Sequence, residues 1–101
     1  VLVVQFAAEY TGAYQRLARQ LRAEGIGVEV YPEAKKVGQQ FKYAEQRGFR
    51  VALIAGPDEF AQGVWKIKDL ARREETTVAE AGVLDAVRKV LANEPAAQAR
   101  D

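Results

Sequence analysis

Val51-Ala52-Leu53-Ile54-Ala55-Gly56-Pro57 is the stretch on which the fold turns. Five apolar residues run without a polar interruption and end on Gly-Pro, which breaks a regular element. A run of this length reads as a strand. Without polar alternation, it is the kind of strand buried on both faces of a sheet.

Working outward from it, the upstream chain supplies two strand–helix units. Residues 1–5, Val1-Leu2-Val3-Val4-Gln5, form a short β-branched strand. Residues 6–11 connect it to a helix over 12–24. There Tyr14, Leu17, Ala18 and Leu21 fall at i, i+3, i+4 and i+7, while Arg16, Arg19, Gln20 and Arg22 lie off the stripe. Gly25 suits the end of that helix. Residues 28–31 form a second strand, limited by Pro32. A second helix spans 37–47, with Val37, Phe41 and Ala44 on one line and Gly48 after it.

Downstream the pattern changes. Residues 58–62 fit one helical turn ending at Gly63. Residues 64–70 alternate, Trp65 and Ile67 pointing one way and Lys66 and Lys68 the other. Residues 71–74 are polar enough for a turn, and 75–78 form the returning strand. A last helix covers 80–92, with Val83, Val87 and Val90 aligned and Leu84 and Leu91 beside them. Residues 93–101 have no periodicity and are expected to be a disordered tail beyond a domain of residues 1–92. The order is β-α-β-α-β, then β-β-α. Its first part requires parallel strands with right-handed crossovers, and its second part is a hairpin. The expected fold is a three-layer α/β domain on a mixed sheet.

The chain has 101 residues, enough for one domain. It contains no cysteine and no histidine, so a disulfide framework and the common zinc and histidine-based arrangements lose their residues. A formal net charge of +1 gives no general attraction to nucleic acid or membrane, so any polyanion site must be local. No apolar run approaches the roughly 20 residues of a membrane span. An apolar strand at the first residue points to a piece of something longer, although a processed or trimmed chain would look the same.

Phosphate-binding and nucleophilic patterns fail. The turn at residues 6–12 holds one glycine, unlike a P-loop or a dinucleotide fingerprint. There is no serine, and the threonines lack an obvious base. Asp58-Glu59 reads as the first turn of a short helix, where carboxylates suit the dipole. What stands out is Lys36-Val37-Gly38-Gln39-Gln40-Phe41-Lys42-Tyr43-Ala44. On a helix, Lys36, Gln40, Tyr43 and Arg47 share a stripe, with Gln39 and Lys42 alongside. Amines can contact phosphates, amides can read base edges, and a tyrosine can stack on an unpaired base. The same pattern also describes a solvated face with a snorkelling tyrosine. Lys66 and Lys68 on one strand face fit either reading.

That run resembles the second-helix motif of the anticodon-binding domain of class IIa aminoacyl-tRNA synthetases. The turn Gly56-Pro57-Asp58-Glu59-Phe60-Ala61-Gln62-Gly63 resembles the family's acidic turn. Val64-Trp65-Lys66-Ile67-Lys68-Asp69-Leu70 is similar to its strand ending in Lys-Asp-Leu. Residues 17–25 look like its first helix and exit. The likeness covers roughly residues 1–91 and is strongest to histidyl-tRNA synthetases. Pro57 stands where an acidic residue is usual, and the turn at 71–74 lacks the family's common glycine.

The resemblance implies about five strands with three helices around them, and a domain that grips and splays a tRNA anticodon loop, that of the histidine tRNA. RNA contacts are expected from Glu9, Tyr10, Lys36, Gln39, Gln40, Lys42, Tyr43, Glu59, Lys66 and Lys68. No catalytic residue, metal or cofactor is expected in this domain. ATP and magnesium would belong to a separate catalytic domain of a homodimeric, cytoplasmic parent that ligates histidine to its tRNA. The competing readings are another class IIa synthetase, a non-synthetase paralogue, and a flavodoxin-like protein-interaction domain.

Overall fold

The computed structural model describes residues 1–33 and 36–92. The expected tail at 93–101 lies outside the described residues. The elements are β1 (Leu2–Val3), α1 (Thr11–Ala23), β2 (Glu29–Val30), α2 (Val37–Gln46), β3 (Val51–Ile54), α3 (Pro57–Gln62), β4 (Val64–Asp69), β5 (Glu74–Ala79) and α4 (Val83–Ala92). Single 3-10 turns precede α1 at Ala8–Tyr10 and α4 at Glu80–Gly82.

The five strands form one mixed sheet in the order β2-β1-β3-β4-β5. β1 pairs in parallel with both β2 and β3, as the β-α-β-α-β order requires. β4 runs antiparallel to β3, and β5 antiparallel to β4. That hairpin ends the parallel winding and removes the flavodoxin-like alternative.

Side-chain alternation splits the core in two. Val1, Val3, Val51, Leu53, Ala55, Trp65 and Ile67 face α1 and α4, where Tyr14, Leu17, Leu21, Val83 and Val87 meet them. Leu2, Val4, Ala52 and Ile54 face α2, meeting Ala44 with Val37 and Phe41 beside it. Residues 51–55 are buried on both faces, as their uninterrupted apolar sequence demands.

Three helices cover the sheet. The fourth, α3, extends the expected single turn to six residues and closes at Gly63, whose φ of 68° is left-handed. The β4–β5 turn, which lacks a glycine, places Arg73 at φ 58°. Asp69 organises that turn: its Oδ1 accepts the N–H groups of Ala71 (3.1 Å) and Arg72 (3.2 Å). Arg50 grips the same carboxylate with two nitrogens, at 3.0 and 3.2 Å.

Candidate nucleic-acid interface

In open α/β sheets, ligands gather at the C-terminal ends of the parallel strands. Here that edge collects residues 4–10 after β1, residues 31–33 after β2, and residues 55–59 after β3. β4 enters from the same edge, because Lys66 pairs with Ile54 at the end of β3.

Side chains from below hold the loops in place. Gln40 of α2 is fully buried. Its Oε1 accepts the Gln5 N–H at 2.7 Å, and its Nε2 donates to the Gln5 carbonyl at 2.8 Å. Gln5 in turn donates from Nε2 to the Tyr31 carbonyl at 2.6 Å, joining the ends of β1 and β2. The Tyr14 hydroxyl donates to the Ala55 carbonyl at 2.9 Å and accepts from the N–H groups of Phe6 (3.1 Å) and Ala7 (3.3 Å). One phenol therefore ties the β1 loop to the end of β3. Burial raises the Tyr14 pKa, and the two N–H groups pull it partly back. Glu59 accepts the Gly56 N–H through Oε1 at 2.8 Å, while Oε2 stands 3.9 Å from Lys66 Nζ. An aromatic column descends from the edge into the core: Tyr10 on Phe60 (4.4 Å between centroids), then Phe60 on Trp65 (5.6 Å).

Of the residues expected to contact RNA, Glu9 lies exposed in the turn before α1, and Tyr10 is half-buried on Phe60. Lys36 is exposed at the N-cap of α2, one residue outside the helix. Gln39 and Lys42 are exposed on α2. Glu59 and Lys66 come together at the edge. Lys68 sits further along β4, its ammonium 4.3 Å from the Phe41 ring centroid.

The reading of residues 36–47 as one open stripe is corrected at two positions. Gln40 turns into the sheet, where its buried amide holds the Gln5 backbone rather than facing outward. Tyr43 lies away from the edge, since its hydroxyl donates to Glu29 at the start of β2. Its ring packs on Tyr31 (5.3 Å) and Phe49 (6.3 Å), with Arg47 over it at 5.6 Å. The bond to Glu29 raises the Tyr43 pKa above its usual value. This packing fits the snorkelling reading of Tyr43 better than the stacking one.

Sequence reasoning also missed Phe6, which the structure leaves at the centre of the edge with 46% of its surface exposed. The available clue was a large aromatic residue in a connection rather than on a strand or a helix stripe.

A family profile described as "Anticodon binding domain" matches residues 1–90. A histidine–tRNA ligase of Rhodopirellula baltica is 52% identical over 79 residues, which cover 78% of this chain and 18% of that protein. One from Mesorhizobium japonicum is 37% identical over an alignment taking in 99% of this chain and 24% of that protein. The crystal structure of histidyl-tRNA synthetase from Nostoc sp. PCC 7120 superposes with a TM-score of 0.85 at 32% identity, over 89% of this chain and 22% of that one. The chain thus spans about a quarter or less of the length of these relatives. With residues 1–90 matched by the family profile, the chain belongs to the anticodon-binding domain family, of the type carried by histidyl-tRNA synthetases.

Proposed function

We propose that this chain recognises the anticodon loop of a histidine tRNA, as the anticodon-binding part of a longer, homodimeric and cytoplasmic histidine–tRNA ligase. The observation that carries the reading is the C-terminal edge. The loops after β1 and β3 are fixed there beside the end of β2, with Lys36, Lys66, Glu9 and Glu59 around them. Lysines at the rim supply phosphate contacts. The exposed Gln39 and the second oxygen of Glu59 supply base-edge contacts, and a carboxylate suits the N–H face of a guanine. ATP and magnesium act in the separate catalytic domain, and this chain contributes recognition alone. Among the described residues, no helix is long and apolar enough to cross a membrane.

The test is a titration of the chain against an RNA hairpin carrying the histidine anticodon and against one with a scrambled loop, at two salt concentrations. The chain should prefer the first. Lys36→Ala, Lys42→Ala and Lys66→Ala should each weaken binding to both hairpins. Each lost phosphate contact should lower the logarithmic salt slope by about 0.7. Equal binding of both hairpins by the unmodified chain, with no variant altering the salt slope, would overturn the reading.

A further inference from the structure

We propose that Phe6 is a stacking platform for one unpaired base of the bound RNA loop; this rests on the anticodon reading and adds a subsite to it. Among the described residues, Phe6 is the one large apolar side chain that is exposed. Its position is nonetheless well fixed. The Phe6 N–H is held by the Tyr14 hydroxyl, and the preceding residue is held on both its backbone groups by the buried Gln40 amide. The ring is thus presented from an anchored backbone rather than trailing from a loose loop.

The ring also has a seat. A Cβ built on Gly56 would stand 3.0 Å from both Cδ1 and Cε1 of Phe6, closer than carbon atoms normally pack. Gly56 has an extended backbone (φ −112°, ψ −167°) that any residue adopts, so its conformation does not call for glycine. Space for the Phe6 ring does. The seat itself is fixed, because the Gly56 N–H is bound by Glu59, whose other oxygen faces Lys66. An aromatic surface therefore lies next to a carboxylate and an ammonium at the end of the parallel strands. Stacking on an aromatic ring is how proteins hold splayed bases, and it tolerates any base because each has a π-face. A protein partner would also cover an apolar ring. The charged pair at its side and the RNA-binding family favour a base.

The experiment uses the whole chain with Phe6→Ala, Phe6→Leu and Phe6→Tyr. The probes are the histidine-anticodon hairpin, its scrambled counterpart, and a set of hairpins in which each loop nucleotide in turn is abasic. Phe6→Ala and Phe6→Leu should bind the intact hairpin roughly 5- to 150-fold more weakly, the range of one base–aromatic stack. Phe6→Tyr should bind it within about two-fold of the unmodified chain, since the ring is kept. For one abasic position the difference between Phe6 and Phe6→Ala should vanish, identifying the stacked base. Thermal melting of each variant should match the unmodified chain. Three results would overturn the proposal while leaving the anticodon reading intact: undiminished binding by Phe6→Ala, full rescue by Phe6→Leu, or a deficit that persists at every abasic position. If the unmodified chain does not distinguish intact from scrambled loops, the anticodon reading itself fails and this subsite with it.

Discussion

Gln40→Leu separates a structural amide from a base-reading one. Gln40 and Gln5 are both buried, at 0% and 5% exposure. The substitution keeps the side chain's bulk but removes the acceptor for the Gln5 N–H and the donor to its carbonyl. Each backbone group left buried without a partner costs about 1–3 kcal/mol. The pair therefore amounts to about 2–6 kcal/mol, a large share of a typical domain's 5–15 kcal/mol. For a domain near 100 residues, 1 kcal/mol moves the melting temperature by roughly 4–8 °C. A drop of about 8 °C at the least, and up to about 50 °C, is expected, read by circular dichroism and paralleled by a lower urea midpoint. Gln40→Glu should fail comparably near neutral pH, because it keeps an acceptor but sets a carboxylate against the Gln5 carbonyl. Part of that loss should return on acidification, when the carboxyl regains a proton to donate. RNA affinity measured well below the melting point should suffer only through the shifted β1 loop. A Gln40→Leu variant that melts within about 2 °C of the unmodified chain yet loses its RNA preference would refute this reasoning and return Gln40 to the contact surface.

Three further outcomes follow from the same bookkeeping of partners. Burial alone would raise the Asp69 pKa, but Arg50 and the N–H groups of Arg72 and Ala71 hold it below the usual 3.8. A folded pKa below the unfolded one means stability that is present at neutral pH and lost as pH falls through about 4 and lower; acid titration of the urea midpoint should show this, and Asp69→Ala should cost about 3 kcal/mol at pH 7 and flatten the acid limb. Arg73 pays about 1–2 kcal/mol for its left-handed φ of 58°, while glycine loses about 0.5–1 kcal/mol in chain entropy. Arg73→Gly should therefore raise stability by about 0.5–1 kcal/mol in a urea titration, and a decrease would contradict the strain argument. Tyr14→Phe removes the donor to Ala55 and the acceptor for Phe6 and Ala7, at about 1–3 kcal/mol. Because the folded Tyr14 pKa is raised above 10, its contribution is present below pH 10 and fades as pH climbs through the folded value; the phenylalanine variant should lack that alkaline loss.

The fold was legible because its strands announce themselves by different patterns. Residues 51–55 carry no polar residue and sit in the middle of the sheet; Trp65, Ile67 and Asp69 alternate with Val64, Lys66 and Lys68 on a strand whose two faces differ. β2 was less legible in extent, because it is an edge strand paired only with β1 and needs only two ladder residues. The site was legible as a region but less so residue by residue. Helical spacing places Lys36, Gln40, Tyr43 and Arg47 on one stripe without saying which way the stripe faces. Apolar Phe41 and Ala44 suggested that they faced the sheet alone, yet a glutamine with two backbone partners is buried just as deeply. Tyr14 was readable as a core residue, but nothing in its spacing reveals that its hydroxyl would span two loops.

These assignments share a physical logic. At the C-terminal edge, an amide (Gln40), a phenol (Tyr14) and half of a carboxylate (Glu59) are occupied by backbone groups of the loops. An edge where parallel strands stop leaves N–H and C=O groups without ladder partners, and buried ones must find partners. The side chains best suited to hydrogen-bond a base are thereby spent on holding the loops still. On the proposed reading, Gln39 and the second oxygen of Glu59 remain for base edges, and the rest of the contact falls to two kinds of group. The exposed lysines are long and lose up to about 2 kcal/mol of rotamer entropy each when fixed, so they serve best as mobile counter-charges for phosphates. Phe6 turns about only two torsions and sits on an anchored backbone, so little remains to be ordered when a base covers it. Affinity should then follow salt through the lysines. Loop geometry should be read by the rigid ring and by what the fixed backbone around it leaves accessible.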